Sequence, residues 1–158
     1  MIRKLTLFFA LLGAFPAPVL AQDEMTRAAF ELYLERFSAG DERYAELYDP
    51  DVVFEHAPQF GVLRGREAIL EFYRGIREQL EETVVASEVV IDNEQGVMAA
   101  ELTTQLLATR DGVEMPSGTL DAGDMIISRG TVYYRINNGR ITHIRGGIQG
   151  AERIAGGQ

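Results

Sequence analysis

Residues 48–73 read YDPDVVFEHAPQFGVLRGREAILEFY. A strand, a loop and an amphipathic helix follow one another in this stretch. Val52-Val53-Phe54-Glu55-His56 is β-branched and aromatic and follows the turn residues Asp49-Pro50-Asp51, which predicts a strand. Pro58 and Gly61 mark the loop. After Gly65, Ile69, Phe72, Tyr73 and Ile76 recur at helical spacing, and the helix is expected to run to about Glu82. His56 falls where the strand ends, so its ring can project into a cleft while the strand fixes its backbone. His56 is therefore the first candidate for chemistry. A structural histidine, hydrogen-bonded at a strand end, is the competing reading.

Upstream, Phe30, Tyr33, Leu34 and Phe37 form an apolar stripe on a helix that Thr26 or Asp23 caps and Ser38-Ala39-Gly40-Asp41 ends. A short second helix is expected over Glu42–Tyr48. Downstream the chain reads as strands at 83–91, 97–109, 124–136 and 140–148. Asn137-Asn138-Gly139 is a tight-turn signal between the last two. Residues 110–123 read as a loop or irregular hairpin end, and 150–158 as a mobile tail. Helices first and an antiparallel meander after them give an α+β class, with helices on one face of a curved sheet and a cavity between. Met98, Ala100, Leu102, Thr104 and Leu106 share one strand face. Ile126, Ser128, Gly130, Val132, Tyr134 and Ile136 share another, and Ile144, Gly146 and Ile148 a third. Ala100, Gly130 and Gly146 either leave room for a ligand or allow close packing. Glu101, Thr103 and Gln105 face outward and suit a homodimer interface.

The first residues are expected to be removed. Met1-Ile2-Arg3-Lys4 is basic, Leu5–Phe15 is apolar, and Val19 and Ala21 are small residues before a cut. This is the pattern of a secretory signal peptide over residues 1–21, leaving one domain over 22–158 in the periplasm or outside the cell. The apolar run is shorter than the roughly 20 residues a membrane span needs, so no stable membrane association is expected after cleavage. The full chain carries 15 Lys+Arg and 24 Asp+Glu, net −9; without Arg3 and Lys4 the balance is 13 against 24, or −11. Such a surface disfavours nucleic acid and anionic membranes. Lys4 is the only lysine, which excludes Schiff-base chemistry in the mature protein, and the lack of cysteine excludes thiol chemistry and disulfides.

Four short segments carry a resemblance over the mature chain. They are Tyr33 with Ser38-Ala39-Gly40-Asp41, Leu47-Tyr48 before Asp51-Val52-Val53-Phe54-Glu55, Gly65-Arg66-Glu67-Ala68-Ile69 with Glu71-Phe72-Tyr73, and Tyr134-Arg135-Ile136 before Gly139-Arg140-Ile141. In this order and spacing they resemble the nuclear transport factor 2-like superfamily, with its ketosteroid isomerase-like and SnoaL-like members. The resemblance implies a cone-shaped sheet around a pocket. It places Tyr33 where ketosteroid isomerases hold the tyrosine that hydrogen-bonds the developing enolate, and His56 where they hold the aspartate that moves the proton. The handed-down position of their second acid falls on Val132, which cannot donate; Asp121 or Asp124 would have to replace it, although loop carboxylates are ordinarily solvated. The pocket walls implied are Phe37, Phe54, Phe72, Met98, Leu102, Val132 and Tyr134.

A histidine base and a tyrosine donor across an apolar pocket suit proton abstraction beside a carbonyl, water elimination or aldol cyclisation. The expected function is a cofactor-independent isomerase, dehydratase or cyclase acting on a small apolar carbonyl or polyketide-like compound. The alternatives are a non-catalytic binding module of the same fold and a dimeric scaffold whose cavity its own side chains fill. Tyr33 also reads as a core tyrosine with its hydroxyl satisfied locally. His143 alternates with Ile144 and so faces away from the cavity, as Glu55 faces away from His56. Two histidines at no metal-ligand spacing disfavour a metal site, and no nucleophile elbow or phosphate loop occurs. Arg64 and Arg66 attract an anionic substrate or pair with Glu67 or Glu71.

Overall fold

The computed structural model describes residues 24–56 and 60–157. The leader expected over residues 1–21 lies outside them. Helix α1 (Arg27–Ser38) buries the four residues of its apolar stripe, and the Thr26 side chain accepts a hydrogen bond from the Ala29 amide. Each apolar side chain so buried contributes about 1.5–3 kcal/mol of transfer free energy. A 3-10 helix (Glu42–Leu47), capped by Asp41, leads into β1 (Tyr48–Glu55). Strand β2 (Val62–Arg64) returns beside β1, and α2 (Arg66–Arg77) follows. Four long strands and a small hairpin complete the chain: β3 (Leu80–Asp92), β4 (Val97–Ala108), β5 (Val113–Met115), β6 (Gly118–Leu120), β7 (Met125–Asn137) and β8 (Arg140–Ile154).

The main sheet has the order β2-β1-β8-β7-β4-β3. All its pairings are antiparallel except β1 with β8, which is parallel. The fold is therefore α+β, a large sheet packed against the N-terminal helices. Tyr48 of β1 faces Ile141, but Val53 already faces His143, so the register breaks between them. Pro50 lies in that break, where its missing N–H removes no ladder hydrogen bond. Just before β8, Asn138 and Gly139 both take positive φ, +47° and +67°, the two-residue turn that the strand twist favours.

Two expectations change, and an open reading resolves. The second helix stops at Arg77, and Leu80 pairs with Ala108 to open β3. The residues Glu78 to Glu82 favour helix, but Leu80 and Val84 bury on the sheet's inner face, and that packing outweighs propensity. Residues 150–154 are not a tail: they continue β8, paired with β7 as far as Met125–Ile154. The 110–123 segment holds the β5–β6 hairpin, which covers a second small core of Leu80, Ala108, Val113, Leu120 and Ile126. Among the described residues no helix is long and apolar enough to cross a membrane.

Candidate functional site

Between the inner face of the sheet and the two helices lies a cavity of about 600 Å³. Strand β1 delivers the chain to it and ends one residue before His56. The His56 amide donates to the Gly61 carbonyl at 3.1 Å, which ties down both ends of the 56–61 loop. The imidazole lies among three aromatic rings, with centroids 4.7 Å from Phe54, 4.8 Å from Phe60 and 5.1 Å from Phe72. Burial against them pushes the His56 pKa below its usual 6.5, because the charged form loses hydration. A neutral imidazole at pH 7 is a proton acceptor.

Tyr33, from α1, also lines the cavity. Its hydroxyl lies 2.9 Å from that of Tyr48. Burial raises the pKa of both, so both remain neutral phenols. A hydroxyl has one proton to donate and two lone pairs. When Tyr48 donates to Tyr33, the Tyr33 proton is left for a group in the cavity.

Phe37, Phe54, Phe72, Leu102, Val132 and Tyr134 line the cavity as anticipated. Met98 does not: it is 1 % exposed and packs in the main core. Gly130 and Gly146 line the cavity, while Ala100 is buried behind it. A Cβ on Gly130 would come within 2.1 Å of the Gly147 carbonyl oxygen, so close backbone approach requires that glycine. Asp121 and Asp124 are not in the lining. Asp124 instead accepts from Arg153 at 2.5 Å and from the Gly156 amide at 2.8 Å, and these bonds hold its carboxyl down to about 2. Arg66 donates to the Tyr48 carbonyl, a structural bond to β1. His143 and Glu55 pair at 2.9 Å across the β1–β8 seam, and Glu55 also lines the cavity.

Several polar residues outside the sequence candidates also line the cavity, Ser117, Arg129 and Glu82 among them. Glu82 lines the cavity from β3, between the buried Leu80 and Val84 on the same strand face. Burial pushes its carboxyl up to about 7, and the nearby Arg77 charge only partly opposes this. The Leu80-Glu82-Val84 alternation was the available signal. Extending the helix to Glu82 concealed it, since a helix end makes a glutamate look solvated.

A family model described as the SnoaL-like domain matches residues 30–144. No curated protein matches the chain. Among solved structures, a polyketide cyclase candidate from Xanthomonas campestris pv. campestris is 18% identical with TM-score 0.64, over 75% of this chain and 86% of that one. A Delta 5-3-ketosteroid isomerase from Mycobacterium sp. is 21% identical with TM-score 0.61, over 80% and 96%. An LEH-like epoxide hydrolase from M. tuberculosis is 17% identical with TM-score 0.60, over 77% and 80%. Likeness at these identities establishes the fold, and one fold holds several chemistries.

Proposed function

The chain belongs to the SnoaL-like domain family, and from that premise we propose that it is a cofactor-independent acid–base enzyme for a small apolar carbonyl compound. The observation that carries this reading is the placement of His56: a half-buried imidazole, its pKa lowered by burial, on the wall of a largely apolar cavity. His56 takes a proton from the carbon beside the carbonyl. The electron pair moves onto the carbonyl oxygen as an enolate, which Tyr33 hydrogen-bonds with Tyr48 behind it. Returning the proton to another carbon isomerises the compound; loss of a β-hydroxyl as water dehydrates it; attack of the enolate carbon on a second carbonyl closes a ring. A positioned base typically contributes 10²–10⁴-fold.

The test is exchange of α-protons in D2O, followed by proton NMR, across a panel of neutral cyclic and aryl ketones. Wild type is expected to accelerate exchange for at least one, and His56→Gln to lose the acceleration. Exchange equally fast with both proteins would remove His56 from the chemistry. Binding without exchange by wild type would favour the binding-module reading, which the local Tyr33–Tyr48 bond supports.

We also propose export and a homodimer. The basic and apolar leader supports the first. For the second, Val90, Ala99 and Tyr133 stand in register across β3, β4 and β7, and Val90 and Tyr133 are 68 % and 58 % exposed. Light scattering on residues 22–158, with and without Tyr133→Glu, tests it: a wild-type monomer rejects the dimer.

A further inference from the structure

Glu82 stands apart from His56. Their strands, β3 and β1, are separated in the sheet by β8, β7 and β4. Burial lowers the His56 pKa, and no Glu82 charge is among its causes. The cavity lining holds Phe54, Leu102 and Val132 and, among its polar residues, Thr104, Ser128 and Arg129. On its own strand Glu82 is flanked by Leu80 and Val84, and across the ladder it faces Leu106 of β4.

The titratable groups around it come from three other elements. Tyr33 lies on α1, Tyr44 on the 3-10 helix, and Tyr73 and Arg77 on α2. Burial raises all three tyrosines, so they are neutral near pH 7. The Arg77 guanidinium is engaged elsewhere. It lies over the rings of Phe37, Tyr44 and Tyr73 at 4.9, 5.5 and 5.5 Å and donates to the Phe37 carbonyl at 2.8 Å. No hydrogen bond contributes to the state of the Glu82 carboxyl. A buried carboxyl without such support holds its proton, and a carboxylic acid donates one hydrogen bond where a carboxylate only accepts.

We propose that Glu82 determines specificity on the β3 side of the cavity, donating a hydrogen bond to a carbonyl or ether oxygen of a neutral ligand that also reaches His56. This rests on the reading of the cavity as a substrate site. It adds that the substrate carries an acceptor oxygen within reach of β3. An acceptor oxygen satisfies the acid, whereas an all-carbon group leaves its O–H unpaired, at a cost in affinity.

The test uses two probes of nearly equal shape, 2-acetylnaphthalene and 2-isopropenylnaphthalene, which differ by C=O against C=CH2. Dissociation constants are measured at pH 6 and 8 for wild type, Glu82→Gln, Glu82→Met and His56→Gln. Wild type at pH 6 is expected to prefer the ketone by roughly three- to ten-fold, the worth of one hydrogen bond. Ketone affinity should fall about two- to five-fold between pH 6 and 8, since a group held at about 7 is mostly protonated at the first and mostly ionised at the second, where the hydrogen bond is lost. Glu82→Gln should keep the preference and lose that pH dependence, because its amide donates at both pH values. Glu82→Met, with no donor, should lose the preference. His56→Gln should retain both. A preference that survives in Glu82→Met, or ketone affinity in wild type that does not change with pH, overturns the inference and leaves the His56 reading intact. Failure of both probes to bind wild type at any pH overturns both.

Discussion

Tyr33 and Tyr48 meet hydroxyl to hydroxyl at 2.9 Å, inside an aromatic cluster in which Tyr33 contacts Phe30, Phe37, Tyr44 and Tyr48. Each ring is in the core, so each hydroxyl depends on the other. Tyr33→Phe or Tyr48→Phe alone leaves one buried hydroxyl without its partner, at a cost of about 1–3 kcal/mol. The double replacement removes both polar groups together and should cost less than the sum of the singles. Urea denaturation of the four proteins gives the coupling, expected at about 1 kcal/mol. Strictly additive costs would mean the bond contributes nothing to folding.

His56 and Glu82 shift in directions that give stability opposite dependences on pH. The folded His56 pKa lies below 6.5, so between the folded and unfolded values the unfolded chain binds more protons, and stability falls as pH drops through that window. Glu82 titrates at about 7 in the fold against 4.5 unfolded. Its contribution is full below 4.5 and is lost as pH rises through 7. Glu82→Gln should therefore stabilise the protein at pH 8 by on the order of 1–3 kcal/mol, because no buried charge then forms, and change little at pH 4.5. Equal gains at both pH values would show that packing, not ionisation, distinguishes the variants.

The sequence made legible what periodicity encodes. The α1 stripe, the inner faces of β4 and β7, the Asn138-Gly139 turn and the position of His56 each follow from spacing and residue type. What was missed depended on contacts distant in sequence. Leu80 belongs to a strand because Ala108 waits for it, although the residues between Glu78 and Glu82 favour helix. Glu82 thereby changes from a helix-end glutamate into a cavity carboxyl. Residues 150–154 have the glycines and charges of a tail, yet β7 offers them a ladder. Met98 shares a strand face with Leu102, but only the curvature of the sheet decides which of the two reaches the cavity.

Gly130 marks where β7 and β8 shift register, between Arg129 and Gly130. An added Cβ would sit 2.1 Å from the Gly147 oxygen and 3.0 Å from its carbonyl carbon, both backbone atoms. Gly130→Ala must therefore separate the strands and should cost about 3 kcal/mol or more. At Gly146 the added Cβ meets only the Val132 side chain, at 3.3 Å, and Gly146→Ala should cost about 1 kcal/mol. Comparable denaturation midpoints for the two variants would contradict the backbone-crowding account of Gly130.

Asp124 fastens the end of β8. Residues 145–154 of that strand are all exposed, so apolar burial does little to hold them. The carboxylate of Asp124 gathers Arg153, the Gly156 amide and the Asp121 amide at 2.5, 2.8 and 3.2 Å. Ile148 and Ala151, on the strand so held, line the cavity. Asp124→Asn keeps the shape but removes the charge that these donors address. Hydrogen exchange at pH 7 should then quicken at Gly156 and through residues 150–154, while the amides of α1 keep their wild-type rates. The carboxyl titrates at about 2 in the fold against 3.8 unfolded, so its contribution is present above 3.8 and lost as pH falls through 2. The exchange difference between wild type and Asp124→Asn should shrink over that interval. Unchanged exchange at Gly156 at pH 7 would mean that the β7–β8 ladder alone holds the strand in place.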